Sequence, residues 1–399
     1  MPRASNITSA FRQRFLFLLV LFCPKTMNYL SARILFAVSA IFLVFAAVSF
    51  AQTPSPTPTP LPTDDGDVIK VESRLIVVPA AVTNSAGDPV LGLTKTSFKV
   101  LEAGKPQTIE AVSSADQVPL EIALLFDVSA TTSPMYKFQQ ETAAKFLQKV
   151  MRAEDRATVF SIGDRPLMIH GRDTAEASAA AIRSIQPSKQ YTAFFDTVVA
   201  AVDYLKRYAP ETSRRVIVVI SDGEDTYSDR IAKATQDLYR TIGKKIDSID
   251  SKTLRRMTAE ANEQAAKKER ARVLKILQDA DTVFYSINPG GSSYQLNTIS
   301  VFGQENMARF AGETGGTAFL PKFQPIDTND GLANELNMKR NAQTLDRIFT
   351  QLTNELRSQY LIQFYSEAEF PQGSFVKLNV TLTEPAGRSL RARQGYFVK

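Results

Sequence analysis

The fold of this chain is decided by the stretch Glu121-Ile-Ala-Leu-Leu-Phe-Asp-Val-Ser-Ala-Thr131, in which an apolar run ends at an acid followed by hydroxyl residues. A strand covered on both faces has a continuous apolar sequence, which is typical of parallel sheets flanked by helices. Ligands of such sheets bind just beyond the carboxyl ends of the strands. The stretch therefore predicts a buried strand that carries oxygen ligands to the edge of a parallel sheet.

Two later stretches are predicted to place oxygen ligands at the same edge of the sheet. Residues 216–220 form a second apolar run, which is followed by Ser-Asp-Gly-Glu-Asp at 221–225, and Thr192 lies just before a helix. Carboxylates and hydroxyls are hard oxygen donors that suit Mg²⁺, Mn²⁺ or Ca²⁺ and suit zinc or copper poorly. The sequence therefore predicts a site for a hard divalent cation, Mg²⁺ first among them.

The combined pattern resembles the metal-ion-dependent adhesion site (MIDAS) of von Willebrand factor A (VWA) domains, which is Asp-x-Ser-x-Ser, then a Thr, then an Asp. The resemblance implies that the first two hydroxyls bind the cation directly, the Thr directly or through water, and the two acids mostly through water. A carboxylate from a partner would complete the coordination shell. The residues at these positions are Asp127, Ser129, Thr131, Thr192 and Asp222.

One position departs from the pattern, because Thr131 stands where the family has a Ser. Three outcomes follow: the Thr hydroxyl substitutes, Ser133 takes its place, or the domain has kept its fold with a weak or lost cation site. Three further acids lie near the motifs and are second in rank. Asp196 is a helix cap or a holder of bound water, and Glu224 and Asp225 either steer cations or are solvated.

The composition excludes several classes of function. The chain has 399 residues and a net charge of +6, but five of its 47 basic residues lie in residues 1–51, which contain no acid. Residues 52–399 therefore hold 42 basic and 41 acidic residues, and nucleic-acid binding loses its main support. With one Cys and one His in the chain, neither an internal disulfide nor a Cys/His zinc cluster is possible.

The N-terminal segment predicts export. When translation starts at Met27, a basic residue, an apolar run and Ser49-Phe50-Ala51 make a signal peptide of ordinary length, cleaved after Ala51. Uncleaved, the same run would act as a membrane anchor. Residues 52–67 alternate proline with hydroxyl residues, which predicts an extended spacer. The expected location is the periplasm, the cell surface or the medium.

The sequence predicts β-strands at both ends of the folded part of the chain. Residues 68–118 contain three predicted strands, and residues 340–399 contain a helix from about Thr344 to Ser358 and three more strands. Neither end has enough strands to bury a core alone, so we predict that they pack together as one β-sandwich with the central domain inserted between them. The stretches 84–93, 355–360 and 391–397 are similar to those of a bacterial family of exported VWA-related proteins, common in acidobacteria. Arg357, Arg391 and Arg393 in these stretches are expected to be solvated.

The central domain, residues 119–325, alternates predicted strands and helices, which indicates a doubly wound α/β fold with a mainly parallel sheet of about six strands. Residues 228–279 form a long, charged segment rich in Ala, Glu and Lys, predicted as one or two helices beside the site. This insertion is either a partner-specific lid or a solvated extension.

The leading functional hypothesis is an exported, non-enzymatic module that binds a protein partner's Asp or Glu through the cation. One alternative is a structural envelope protein with a degenerate metal site. Another is a metal-dependent hydrolase, which would need a general base such as Asp196 or Glu224. The sequence does not determine the oligomeric state.

Overall fold

A six-stranded sheet lies at the centre of the part of the chain that the structure, a computed structural model, describes. The described residues are 74–129, 134–188, 191–288, 298–326 and 328–398, and they belong to one compact unit, residues 70–399. The predicted signal segment and spacer, together with Thr131 and Ser133, lie outside the described residues. Within the described residues, no helix is long and apolar enough to cross a bilayer.

The described elements are numbered in chain order. The strands are β1 (Arg74–Asn84), β2 (Phe98–Glu102), β3 (Lys105–Gln107), β4 (Ile109–Ser114), β5 (Leu120–Asp127), β6 (Arg156–Ile162), β7 (Pro166–Asp173), β8 (Arg214–Ile220), β9 (Thr282–Ile287), β10 (Ala318–Phe319), β11 (Tyr360–Ser366), β12 (Phe375–Leu382), β13 (Arg388–Ala392) and β14 (Gly395–Phe397). The helices are α1 (Pro134–Val150), α2 (Ala175–Ser184), α3 (Phe194–Tyr208), α4 (Asp229–Ile242), α5 (Ser251–Asp279), α6 (Thr298–Thr314) and α7 (Gly331–Arg357).

The central sheet has the strand order β10-β9-β8-β5-β6-β7. Its neighbouring strands run parallel, except that the edge strand β7 is antiparallel to β6. Every residue of β5 is buried. Its alternate side chains belong to two different apolar clusters: Leu124 and Phe126 pack with α1, α2 and α7, whereas Ala123 and Leu125 pack with α3, α5 and α6. Helices therefore cover both faces, and the predicted doubly wound α/β fold is confirmed.

The strands from the two chain ends form two four-stranded antiparallel sheets, β13-β1-β11-β4 and β14-β12-β2-β3. Residues of both sheets share one apolar cluster, which confirms the predicted sandwich with the α/β part inserted. The last of the three strands predicted in residues 340–399 is in fact two strands, β13 and β14, that belong to different sheets. Between them, the Arg393 side chain bonds to Asp281 and the Gln394 N–H bonds to the Glu313 carbonyl, while the Gln394 carbonyl accepts the N–H of Leu378 in β12.

The charged segment 228–279 consists of α4 and α5, joined by a short 3₁₀ turn. The prediction of one or two helices is confirmed, but the C-terminal part of α5 is not a solvated extension. Val273, Leu274 and Leu277 are buried against the sheet, so α5 is also the crossover helix between β8 and β9. The helix predicted from about Thr344 begins at Gly331 instead, because the Asp330 carboxylate accepts the first free backbone N–H groups.

The prediction of solvated arginines is wrong for Arg357 and Arg393. Arg357, with an 11% exposed side chain, pairs with the fully buried Asp155 and donates to the Val150 carbonyl at 2.6 Å. Arg393 is 12% exposed and pairs with Asp281. The half-exposed Arg391 pairs with the buried Glu355. Burying a charge is unfavourable unless it is paired, so these side chains serve internal contacts.

Candidate functional site

The first predicted ligand residue, Asp127, is the last residue of β5 and is buried. Its Oδ1 accepts hydrogen bonds from the Ser129 backbone N at 2.9 Å and from Ser129 Oγ at 2.6 Å. Its Oδ2 accepts a bond from Ser221 Oγ at 2.6 Å. A hydroxyl that donates its proton keeps its lone pairs. Asp127 therefore orients two hydroxyl oxygens: the lone pairs of Ser129 Oγ are available as acceptors, whereas Ser221 Oγ already accepts the Gly223 N–H at 3.0 Å.

The second predicted acid, Asp222, lies two residues beyond the end of β8 and therefore on the same edge of the sheet as Asp127. Its Oδ1 accepts the Glu224 backbone N–H at 3.0 Å. Between them, Gly223 has φ +78°, and a Cβ there would lie 2.6 Å from the Gly303 carbonyl oxygen at the start of α6. The turn therefore requires glycine both for its backbone angle and for its close approach to α6.

Thr192 is buried in the loop that precedes α3. Its carbonyl accepts the backbone N–H groups of Thr226, at 2.9 Å, and Tyr227, at 3.0 Å. Thr226 Oγ1 accepts the Thr192 N–H at 3.0 Å and lies 3.2 Å from Thr192 Oγ1. The next residue, Ala193, donates to the Gly163 carbonyl just beyond β6. The loop is thus fixed to its neighbours on both sides.

Carboxylates that lie close together determine the electrostatics of this edge of the sheet. Burial raises the pKa of Asp127, and the hydrogen bonds from Ser129 and Ser221 oppose this. Burial, with repulsion from Asp127, raises the pKa of Asp222 to about 6. The charge of Glu224 raises both pKa values further. Among the described residues, no Lys or Arg forms an ion pair with any of these three acids.

The second-rank acids are largely occupied by other bonds. The Asp225 carboxylate accepts the Phe195 N–H at 2.8 Å and both the N–H and the hydroxyl of Ser228, and burial raises its pKa to about 6. Asp196 Oδ2 accepts the Asp229 N–H at 2.7 Å at the start of α4, and burial raises its pKa too. Glu224 accepts a bond from the Ser300 hydroxyl.

Sequence reasoning missed two contributors to this arrangement. Ser221 joins the ends of β5 and β8 through its bonds to Asp127 and to the Gly223 N–H, the latter at 3.0 Å. Thr226 joins the loop after β8 to Thr192. The signal for Ser221 was a hydroxyl residue directly before a strand-end acid. No pattern in the sequence marked Thr226, because its partner is 34 residues away.

The available donors fit a hard divalent cation. The predicted set draws on two carboxylates and several hydroxyls, and oxygen donors of this kind suit Mg²⁺, Mn²⁺ and Ca²⁺. Where the chain is described, no group of three or more His, Cys, Asp or Glu side chains is arranged to hold a metal. The crowded, unpaired carboxylates would be stabilised by a cation placed between them.

Comparisons with known proteins give no sequence family. No protein-family model matches the chain, and a search of curated proteins gives no significant match. Similar solved structures include an aerotolerance-related membrane protein from Bacteroides fragilis, with 14% identity, a TM-score of 0.31 and coverage of 57% of this chain and 99% of that one.

Two further similar structures are those of a mussel-byssus thread matrix protein and a bacterial minor pilin. Proximal thread matrix protein 1 from the mussel byssus, with a zinc-occupied MIDAS motif, is 13% identical with a TM-score of 0.36, covering 63% of this chain and 49% of that one. The PilB minor pilin from Streptococcus sanguinis is 16% identical with a TM-score of 0.36, covering 60% of this chain and 62% of that one. Likenesses at this level do not identify a function.

Proposed function

We propose that this chain is an exported protein that binds protein partners through a divalent cation, with Mg²⁺ as the expected ion and Mn²⁺ or Ca²⁺ as alternatives. The proposed ligand set is Asp127, Ser129, Thr131, Thr192 and Asp222. The observation that carries the proposal is the bond of Asp127 to the hydroxyls of Ser129 and Ser221, next to a second acid whose pKa is raised to about 6 by burial and by Asp127.

Each residue has a separate task in this proposal. Ser129 presents the lone pairs of a hydroxyl whose proton is held by Asp127, and Thr192 presents a hydroxyl from a loop fixed by three hydrogen bonds to residues 226 and 227. Asp127 and Asp222 supply negative charge and accept bonds from bound water. A bound cation would supply the positive charge to which a carboxylate of a partner binds.

We propose binding and not catalysis, because each acid that would serve as a general base already accepts a structural hydrogen bond. Asp196 accepts the backbone N–H of Asp229, and Glu224 accepts the Ser300 hydroxyl. A carboxylate that accepts one hydrogen bond keeps further lone pairs, so screens with phosphatase, esterase and protease substrates test this choice. The structural alternative, an envelope protein without a working ion site, is distinguished by the experiment below.

The first prediction concerns cation-induced stabilisation. Adding Mg²⁺ to chelator-treated protein should raise its free energy of unfolding, by roughly 2.7 kcal/mol at one hundred times the dissociation constant, because the ion binds only the folded state. Asp127→Ala and Asp222→Ala should each abolish this gain in thermal unfolding experiments. The matched control is Asp247→Ala, which removes an exposed acid from the turn between α4 and α5.

The control variant should keep the full gain. A parent protein that shows no gain with Mg²⁺, Mn²⁺ or Ca²⁺ would reject the cation site and favour the structural alternative. Where the gain is present, envelope proteins retained on the immobilised chain with Mg²⁺ and released by chelator would be candidate partners.

A further inference from the structure

An exposed pair of stacked tyrosines lies beside the candidate cation site. The rings of Tyr191 and Tyr227 have centroids 5.3 Å apart and planes inclined by 13°. Tyr191 is 66% exposed and Tyr227 is 46% exposed. Large aromatic side chains are usually buried in part, and exposed tyrosines are enriched among residues that dominate binding energies in protein interfaces. The pair therefore has the properties of a recognition surface.

Backbone hydrogen bonds fix this pair relative to the proposed ligands. Tyr191 directly precedes Thr192, and the Thr192 carbonyl accepts the Tyr227 N–H at 3.0 Å and the Thr226 N–H at 2.9 Å. The two rings thus stand on loops that are joined at Thr192. Little conformational entropy remains to be lost when a partner binds to a preorganised surface of this kind.

Acids outnumber bases around the pair. Asp225 and Asp229 lie within two residues of Tyr227, and Asp196 and Asp229 are close enough for mutual repulsion, which helps to raise the pKa of Asp196. Of the two neighbouring bases, Arg230 pairs with the buried Glu269, and Lys189 lies two residues before Tyr191. An approaching cationic group is therefore attracted both by the acids and by the faces of the two rings.

We propose that the Tyr191–Tyr227 pair receives an arginine side chain of a protein partner whose own Asp or Glu reaches the cation. The proposal rests on the function proposed above and names the chemistry of the partner: one acid for the ion and one guanidinium for the ring pair. Arginine fits better than a neutral ring because its planar guanidinium stacks on aromatic faces and also carries the charge that the acids attract.

The experiment uses short fluorescent peptides of glycine and serine that contain one Asp and one Arg at varied spacing, titrated into the full chain with Mg²⁺. Matched peptides carry citrulline, a neutral planar analogue, in place of Arg, or Asn in place of Asp. At the best spacing, citrulline should weaken binding roughly twofold to thirtyfold, the range of a cation–π contact from exposed to desolvated. Equal affinity of the Arg and citrulline peptides at every spacing would overturn the proposal.

The variants Tyr191→Ala and Tyr227→Ala should remove the preference for Arg over citrulline, and Tyr227→Phe should keep it because the ring face remains. The matched control is Tyr208→Ala. Tyr208 is 53% exposed and packs against Tyr204 with ring centroids 4.5 Å apart and planes inclined by 41°, but it lies at the other end of α3 from Thr192. Loss of the preference in the control, or its retention in both alanine variants, would overturn the proposal.

Failure of this inference and failure of the proposed function give different results. Without a working cation site, Mg²⁺ would not stabilise the parent protein, and the Asn and Asp peptides would bind equally. With a working site and no arginine recognition, the Mg²⁺ gain and the Asp preference would remain, and only the Arg preference would be missing. Thermal unfolding of each variant with Mg²⁺ checks that the ion site is intact.

Discussion

At the residue scale, the site depends on small hydroxyl side chains that connect one strand end to another. Ser221 is fully buried and bonds both to Asp127, at 2.6 Å, and to the Gly223 N–H, at 3.0 Å. It stands next to a predicted ligand without being one. Such a residue determines where the acids lie, so its effect on cation binding is expected to be indirect.

Ser221→Ala should therefore lower stability and cation affinity together. Two buried groups lose a partner, which costs about 1–3 kcal/mol, and Asp127 is no longer held in place from the β8 side. Chemical denaturation and Mg²⁺ titration followed by thermal unfolding measure the two effects. Ser248→Ala, at an exposed position in the turn after α4, is the control and should change neither.

Asp225 should make stability depend on pH in the chelated protein. Burial raises its folded-state pKa to about 6, above the value of about 3.9 for an unfolded Asp. The folded state then binds the proton more tightly, so this contribution to stability is fully present below about pH 3.9 and is lost as pH rises through about 6. Asp225→Asn should reduce the slope of the profile over this window, and the slope that remains belongs to groups such as Asp222, whose pKa is also raised to about 6; denaturation at a series of pH values measures this. An unchanged slope would contradict the assignment.

At the element scale, the sequence predicted those helices and strands whose pattern of apolar residues is complete within the element itself. The apolar runs of β5 and β8 reveal their burial on both faces because no polar residue interrupts them. The start of α7 was missed because its first three turns expose apolar side chains such as Leu332 and Leu336, and helix periodicity is read from a buried stripe. The split into β13 and β14 was missed because the contacts made between these two strands, such as that of Gln394 with Glu313, join residues that are far apart in the sequence.

The outer half of the α4–α5 pair can be tested as a separate element. Thr235 Oγ1 donates to Asn262 Oδ1 at 2.6 Å, so a short Gly/Ser linker can replace residues 236–261 without moving the helix bases. Mg²⁺ stabilisation should be unchanged, because the residues that hold Asp127, Thr192 and Asp222 lie outside the deletion. Thermal unfolding with and without Mg²⁺ tests this, and loss of the gain would contradict it.

The same deletion decides between the two roles of the insertion. A lid that contacts partners would alter the binding of Mg²⁺-dependent partners or of the Asp/Arg peptides while leaving the ion gain in place. A solvated extension would leave both unchanged. The inner residues are kept because the buried Glu269 pairs with Arg230 and Arg272, and removing that group would disturb the start of α4.

At the scale of the whole molecule, the α/β part and the sandwich are connected by arginines near the C-terminal end. Arg391 of β13 bonds to Thr317 and Glu355, and Arg393 bonds to Asp281 and to the Val77 carbonyl. The sequence indicated that both chain ends share one domain, since neither had enough strands alone. It did not indicate these contacts, because the sequence pattern of a strand is the same whether its arginine is solvated or pairs with a buried acid.

These two connections should differ in strength, because the acids they pair with differ in burial. The side chain of Glu355 is 1% exposed, so Arg391→Ala leaves a buried charge whose remaining hydrogen-bond partners among the described residues are the neutral Thr317 and Gln351. Asp281 is 52% exposed and water can replace its partner. We expect a loss of about 2–3 kcal/mol for Arg391→Ala and a smaller loss, about 1–2 kcal/mol, for Arg393→Ala, which removes the donor to the Val77 carbonyl but leaves no buried charge unpaired; chemical denaturation measures both.

A double variant separates two contributions to the free energy of unfolding: the penalty for an unpaired buried charge and the stabilisation by the ion pair. Arg391→Met with Glu355→Gln removes both charges at once, and replacing both partners of a buried pair is often nearly neutral. The double variant should therefore regain most of the stability that Arg391→Ala loses. If instead it is as unstable as Arg391→Ala, the pair itself holds the sandwich to the α/β part, and its loss would then also lower the cooperativity of unfolding.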